Sequence, residues 1–224
     1  MLNERNEMAQ NTTKQYDKNL NKVIFDIKHQ RTFVMIKPDG VMRGLSGEII
    51  TRLERAGLKI VAMKMITPTE KMIRQHYPTS DEQWISRLGS KAKSGLDGTD
   101  LLAKDIYGTE DEKELGKGAL AGLVQFMQSG PVIAMVIEGL KAVSAVRKIV
   151  GSTLPSKAEP GTIRGDFSGD DPIVANVEGR AIHNLIHASE IPEEAAAEIK
   201  LWFGDEPMAD YSMSAEEVMY NKHY

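Results

Sequence analysis

The chain carries five histidines, His29, His76, His183, His187 and His223, and no cysteine. A thiol nucleophile, a disulfide framework and a Cys-ligated metal are therefore excluded. Four of the histidines read as surface or structural residues, and His187 stands apart by its position. It closes the apolar run Leu185-Ile186-His187 and precedes Ala188-Ser189 and a helix start. A side chain there is held rigidly beside free backbone N–H groups, which favour anions. An imidazole so placed is a good phosphoryl acceptor near neutral pH, because one nitrogen can attack while the other donates a hydrogen bond. The oxygens of a transferred phosphoryl group need cationic help. Candidates are Lys37 at the end of the first strand, Arg147 in a helix and Arg164 in PGTIRGD, with Thr153 as a hydroxyl donor. Guanidinium forks match phosphoryl oxygens, which suits two arginines to this task. Lys37 and Arg147 taken singly read as solvated surface charge, and composition alone does not bring the set together.

Other chemistries find less support. No HExxH, paired-cysteine or EF-hand spacing occurs, and Asp166, Asp170 and Asp171 read as a solvated loop in preference to a weak Ca²⁺ site. GLSGE (44–48) lacks the glycines and the Lys-Ser/Thr of a phosphate-cradling loop. A net charge of -4 argues against a broad nucleic-acid surface. The apolar run from Pro131 to Ile137 is too short to cross a bilayer, so no membrane partner is expected. The amino terminus lacks the apolar core of a signal peptide, and a cytoplasmic location is expected.

The elements that must position these groups follow from period and punctuation. RTFVMIK (31–37) is a short strand ended by Pro38-Asp39-Gly40. Leu45, Ile49, Leu53 and Ala56 recur at helical spacing until Gly57, and Leu58 to Ile66 reads as a strand apolar on both faces, as in mid-sheet. Pro68-Thr69-Glu70 opens a helix reaching His76-Tyr77. Residues 80–118 form an insertion with a short helix or two, Trp84, Ile85 and Leu88 on one face and Leu101, Leu102 and Ile106 on another. Helix 120–127, strand 131–139 and helix 140–150 follow, then a loop-like stretch from 151 to 179. A last strand is predicted between Ile182 and Ile186, and Ser189 is predicted to cap a final helix running to Phe203. Residues 1–28 read as a disordered or docking arm in which VIFDI (23–27) could add an edge strand, 29–207 as one domain, and 208–224 as a tail. The pattern fits an α+β fold: a ferredoxin-like βαββαβ sandwich with a four-stranded antiparallel sheet and helices packed on one face.

The blocks RTFVMIKPDGVMRGLSGEIITRLERAGLKIVAMKM (31–65), SGPVIAMVIEG (129–139), VRKIVGST (146–153), PGTIRGDF (160–167), NLIHAS (184–189) and EIKLWF (198–203) occur in this order. In them the chain resembles the nucleoside diphosphate kinase family, over most of residues 31–76 and 120–203. The resemblance implies a ping-pong transfer of the terminal phosphate of a nucleoside triphosphate such as ATP to a nucleoside diphosphate, through a phosphohistidine on His187. It implies Lys37, Tyr77, Arg147, Thr153, Arg164 and Asn184 as nucleotide-binding positions. Lys37 and Asn184 would contact ribose and phosphates, Arg147, Thr153 and Arg164 the phosphate chain, and Tyr77 would help orient the histidine. Glu198 would accept the ring N–H that fixes the tautomer. Mg²⁺ would arrive on the nucleotide, held by phosphates and water with no fixed protein cage. A homo-oligomer, tetramer or hexamer, is implied too.

The chain departs from the family's pattern at several places. Ala119 stands where the family stacks a phenylalanine on the base, so Tyr107 or Trp84 of the insertion become candidates for a replacement platform. Ser-Asp after the histidine is Ser189-Glu190, and the arginine before the asparagine is His183. The insertion near the nucleotide mouth is a candidate lid. The competing reading is a catalytically silent nucleotide-binding or scaffolding relative.

Overall fold

The computed structural model describes residues 19–220. A helix α1 covers 19–28 and leads into strand β1 (Gln30–Ile36). Helices α2 (Pro38–Met42) and α3 (Ser46–Arg55) lead to β2 (Lys59–Ile66), and α4 (Glu70–His76), α5 (Glu82–Ser94), α6 (Ala103–Tyr107) and α7 (Glu112–Gln128) to β3 (Val132–Gly139). Then come α8 (Ala142–Val150), a 3₁₀ turn (Pro155–Lys157), α9 (Ile163–Phe167), α10 (Pro172–Val177), β4 (Ile186–Ala188), α11 (Pro192–Phe203) and α12 (Ser214–Tyr220). The strands form one antiparallel sheet in the order β2-β3-β1-β4, the expected ferredoxin-like arrangement. Among the described residues no helix is long and apolar enough to cross a membrane.

Helices cover both faces of the sheet, which corrects the one-face expectation. Val34, Ile36, Met135 and Ile137 pack against Ile49 and Leu53 of α3 and Val146 and Val150 of α8. Phe33, Met35, Ala134 and Val136 pack on the other side with Ile73 of α4, Val124 and Met127 of α7 and Trp202 of α11. Strand side chains alternate between faces, so a strand apolar from Val132 to Ile137, as β3 is, demands a layer on each side.

Several boundaries move. β2 is an edge strand, not a central one. Its apolar residues on both faces include Met63 and Met65, 55% and 58% exposed. VIFDI (23–27) is helical and not a strand, and Lys141 N–H donates to Ile27 O at 2.9 Å, which ties the end of α1 to the body; residues 1–18 of the arm lie outside the described residues. The loop-like stretch 151–179 holds three short helical segments, because Thr162 and Asp171 each cap one with a side-chain oxygen. β4 starts at Ile186 and includes His187, four residues later than expected. Ser189 does not cap α11; Ile191 is the N-cap residue and Pro192 opens the helix.

The helix expected at 120–127 extends back to Glu112 and crosses α5 at two glycines. A Cβ on Gly89 would lie 1.7 Å from Glu112 O, and one on Gly116 would lie 1.9 Å from Ile85 O. Only hydrogen at both positions lets the backbones approach so closely. The insertion is thereby docked against the sheet's helical layer, and Asn176 Nδ2 donates to Ala92 O at 2.8 Å, joining α5 to α10. These contacts hold the insertion, the candidate lid, against α7 and α10 in this structure.

Candidate active site

The site gathers at the carboxyl end of β1 and along β4. The register pairs Met35 with His187 and Ile36 with Ile186. Alternation then sends Ile186 into the α3–α8 core, and His187 to the side of Phe33, whose ring lies 5.9 Å away. α11 spans that side. Ala195, Glu198 and Trp202 recur at spacings of three and four, so Glu198 points inward between apolar neighbours.

His187 Nε2 lies 2.8 Å from Glu198 Oε1, close but not aligned as a hydrogen bond. Such contacts commonly tighten once the substrate is bound. Glu198 Oε2 accepts the Ser189 hydroxyl at 2.6 Å, which holds that hydroxyl on the middle of α11 and away from its amino-terminal turn. Burial raises the Glu198 pKa, while His76 and the Ser189 hydrogen bond pull it back. The His187 side chain is 17% exposed. Burial, followed by the charges of Lys37, Arg164 and Arg147, lowers its pKa to about 3, so the ring is neutral at ordinary pH.

The cations are held by different means. Lys37 is buried at 7% exposure, contrary to a solvated charge, and donates from Nζ to Asn184 Oδ1 at 2.7 Å. Burial first, then the nearby Arg164 charge, lowers its pKa to about 8, while Asp39 opposes the shift. Arg164 is buried and donates to three backbone carbonyls, Asn184 O and Gly151 O at 3.0 Å each and Ile186 O. Asn184 Nδ2 in turn donates to Thr153 O at 2.9 Å. Arg147 is half-exposed, and its Nη2 lies 3.9 Å from Glu190 Oε1. Tyr77 is half-buried, its ring 4.6 Å from His76 and stacked at 6.2 Å on Trp84. Burial, then the Glu198 charge, raises the Tyr77 pKa.

All eight sequence-predicted positions thus enter one neighbourhood by different links. His187, Glu198, Lys37, Arg164, Asn184 and Tyr77 are bound together by contact or charge. Thr153 joins through its carbonyl, with its side chain open to solvent, and Arg147 acts through its charge.

Some expectations fail. Tyr107 packs on Leu96, Ala103 and Leu115 in a separate cluster and offers no base platform, whereas Trp84 stacks on Tyr77. His183 stacks on Phe126 at 4.7 Å. The acidic loop is not merely solvated. Asp170 binds both Nη atoms of Arg180 and accepts His183 N–H, Asp171 caps α10, and Asp166 pairs with Arg52.

Sequence reasoning missed His76 and Asp39. His76 follows Ile73 by three residues on α4, so its helical period marks it as inward-facing. Among the described residues, His76, His187 and Glu198 offer ligand atoms within 4.8 Å of one another. Mg²⁺ takes oxygen donors in near-octahedral geometry, so this nitrogen-rich set does not fit it.

A sequence model described as nucleoside diphosphate kinase matches residues 30–95 and 92–208. The chain is 45% identical over 181 residues to the nucleoside diphosphate kinase of Pyrobaculum aerophilum, covering 81% of this chain and 98% of that one. It superposes on the crystal structure of an NDP kinase from that organism with a TM-score of 0.76 at 44% identity, covering 81% of this chain and 100% of that one. A transition-state mimic of the Borrelia burgdorferi enzyme with bound vanadate and ADP gives a TM-score of 0.66 at 33% identity, covering 86% and 97%. Family match and relatives agree with the fold. The chain belongs to the nucleoside diphosphate kinase family, whose members transfer phosphate between nucleotides.

Proposed function

We propose that this kinase moves the terminal phosphate through His187 in two half-reactions. The observation that carries the reading is a neutral imidazole backed by Glu198 at Nε2 and surrounded by the charges of Lys37, Arg147 and Arg164. Glu198 occupies the Nε2 side, which leaves Nδ1 for the substrate. Nδ1 attacks the terminal phosphorus of a nucleoside triphosphate, the N–P bond forms, and the P–O bond to the departing diphosphate breaks. An incoming diphosphate then attacks the phosphohistidine with its terminal oxygen and regenerates the imidazole. The ring becomes cation-like as the N–P bond forms, and the Glu198 carboxylate compensates that charge. Lys37, Arg147 and Arg164 offset the phosphate charge, with Thr153 and Asn184 beside them and Tyr77 packed on His76. The substrate is the Mg²⁺-bound nucleotide, the ion being held by phosphates and water. We infer a cytoplasmic setting, in keeping with a chain that carries no cysteine.

The test is intact mass after ATP and Mg²⁺, then transfer to GDP or CDP, in wild type and His187→Ala. One acid-labile phosphate gained by wild type, discharged by the diphosphate and absent from the variant, is the expected result. A wild type that binds nucleotide but never gains phosphate sinks the reading and favours the silent relative.

We also infer that residues 29–207 act as one domain carrying 80–118 as an insertion, supported by the Gly89–Gly116 crossing. A homo-oligomer, tetramer or hexamer, is supported by Met63 and Met65 exposed on the edge strand β2. Light scattering on Met63→Lys/Met65→Lys should report a smaller particle than wild type, and an unchanged mass would reject that interface.

A further inference from the structure

Glu198 faces two imidazoles. Its Oε1 lies 2.8 Å from His187 Nε2 and 3.3 Å from His76 Nδ1. The His76 side chain is 1% exposed, its ring stands edge-on to that of His187 at 4.5 Å and 78°, and Trp202 Nε1 donates to His76 Nδ1 at 3.3 Å. Among the described residues His76 Nε2 has no partner.

The hydrogen count in this group is restrictive. An indole N–H only donates, so while Trp202 bonds to His76 its Nδ1 is a lone pair and its proton sits on the unpartnered Nε2. The alternative tautomer, with its hydrogen on Nδ1, donates to Glu198 instead. The reaction calls for this second tautomer, which His76 keeps throughout. His187 attacks through Nδ1 with its hydrogen on Nε2, before and after transfer, and Glu198 must be ionised and aimed to receive it. A second N–H from His76 on the same oxygen holds the carboxylate in that state. The other groups facing Glu198 are Ser189 just past β4, Tyr77 just beyond α4 and Glu194 on α11 itself, with Lys37 acting on both imidazoles by charge.

We propose that His76 is a positioning residue for phosphoryl transfer: it shares Glu198 Oε1 with His187 and blocks rotation of that ring edge-on. It touches no substrate and loses no proton in the step. The inference rests on His187 as the nucleophile.

The experiment compares full-length wild type, His76→Gln and His76→Phe by single-turnover phosphorylation with ATP and Mg²⁺ across pH, with ADP affinity measured by calorimetry. The phenylalanine variant is expected to react about 10- to 100-fold more slowly, as for a misplaced reacting group, with ADP affinity within about twofold. Its acid limb should move to higher pH, because Glu198 without a donor protonates more readily. The glutamine variant, whose amide can still donate to Glu198, should recover most of the rate. A phenylalanine variant within about twofold of wild type overturns the proposal. So does a glutamine variant as slow as phenylalanine with the acid limb of both unmoved, the mark of packing alone. If the phenylalanine variant fails to fold, His76→Asn, too short to reach Glu198, replaces it in the same comparison. A wild type that gains no phosphate on His187 removes the underlying reading instead, so the two failures are distinguishable.

Discussion

Asp39 Oδ2 accepts the backbone N–H of Leu185 at 3.0 Å, across 146 residues of chain, and Leu185 has the left-handed φ of +67°. A branched aliphatic residue avoids that region unless its surroundings hold it there. Lys37 N–H donates to Leu185 O at 2.8 Å, and a Cβ on Gly40 would lie 3.0 Å from the same oxygen, so α2 clamps the peptide units on both sides of Leu185. This clamp turns the chain so that Asn184 faces Lys37 and His187 enters β4.

Asp39→Ala should therefore harm both stability and catalysis. The loss of a buried hydrogen bond to a carboxylate costs roughly 1.5–3 kcal/mol, readable by urea unfolding. Phosphoenzyme formation should fall with it, and Asp39→Asn, which keeps an acceptor oxygen, should recover part of each. An alanine variant with wild-type stability would show the clamp to be incidental.

Lys37 sets an alkaline limit. It serves phosphate as an ammonium, and its pKa of about 8 means that this form is lost as pH rises through that value. The profile of kcat/KM, which reports the free enzyme, should fall above about pH 8. That of kcat should hold to higher pH, because bound phosphate favours the charged lysine. Lys37→Met should abolish this limb and the activity together while leaving the fold as stable or more so, by about 1–2 kcal/mol, since a desolvated charge is removed.

Acid should loosen the fold before it charges the site. The pKa values of His76 and His187 lie at about 3, below the usual 6.5, with burial the first cause for each. The unfolded chain then binds more protons than the native one, so stability is complete above about pH 6.5 and declines as pH falls toward 3. Glu198, with its raised pKa, opposes part of this decline. Denaturant titrations of wild type and of His76→Gln from pH 7 to pH 4 should show a shallower loss in the variant. Parallel losses would assign the acid sensitivity elsewhere.

The α5–α7 crossing admits no Cβ. Gly116→Ala should cost about 1–3 kcal/mol, typical of an overpacked core, and open the insertion first. Hydrogen exchange should rise through 82–118 while β1 and β3 stay protected. Uniform loss of protection would mean that the insertion and the sheet unfold together.

Much of this protein was legible in its sequence where the information is local. The helical repeat of Leu45, Ile49 and Leu53, the strand patterns of β1 and β3, and the turn at Pro38-Asp39-Gly40 follow from period and punctuation within a few residues. The candidates around His187 followed from residue chemistry and block order. The rest was decided by packing between distant segments. β2 reads as central by its apolar residues, yet pairing makes it an edge. Ser189 reads as a cap, yet Glu198 takes its hydroxyl. His76 reads as one of several ordinary histidines until α4 and α11 bring it 3.3 Å from Glu198. Local torsional preference and side-chain period act within one or two turns of chain. The Asp39–Leu185 clamp and the shared carboxylate join residues over a hundred positions apart, and only the folded path of the chain sets such distances.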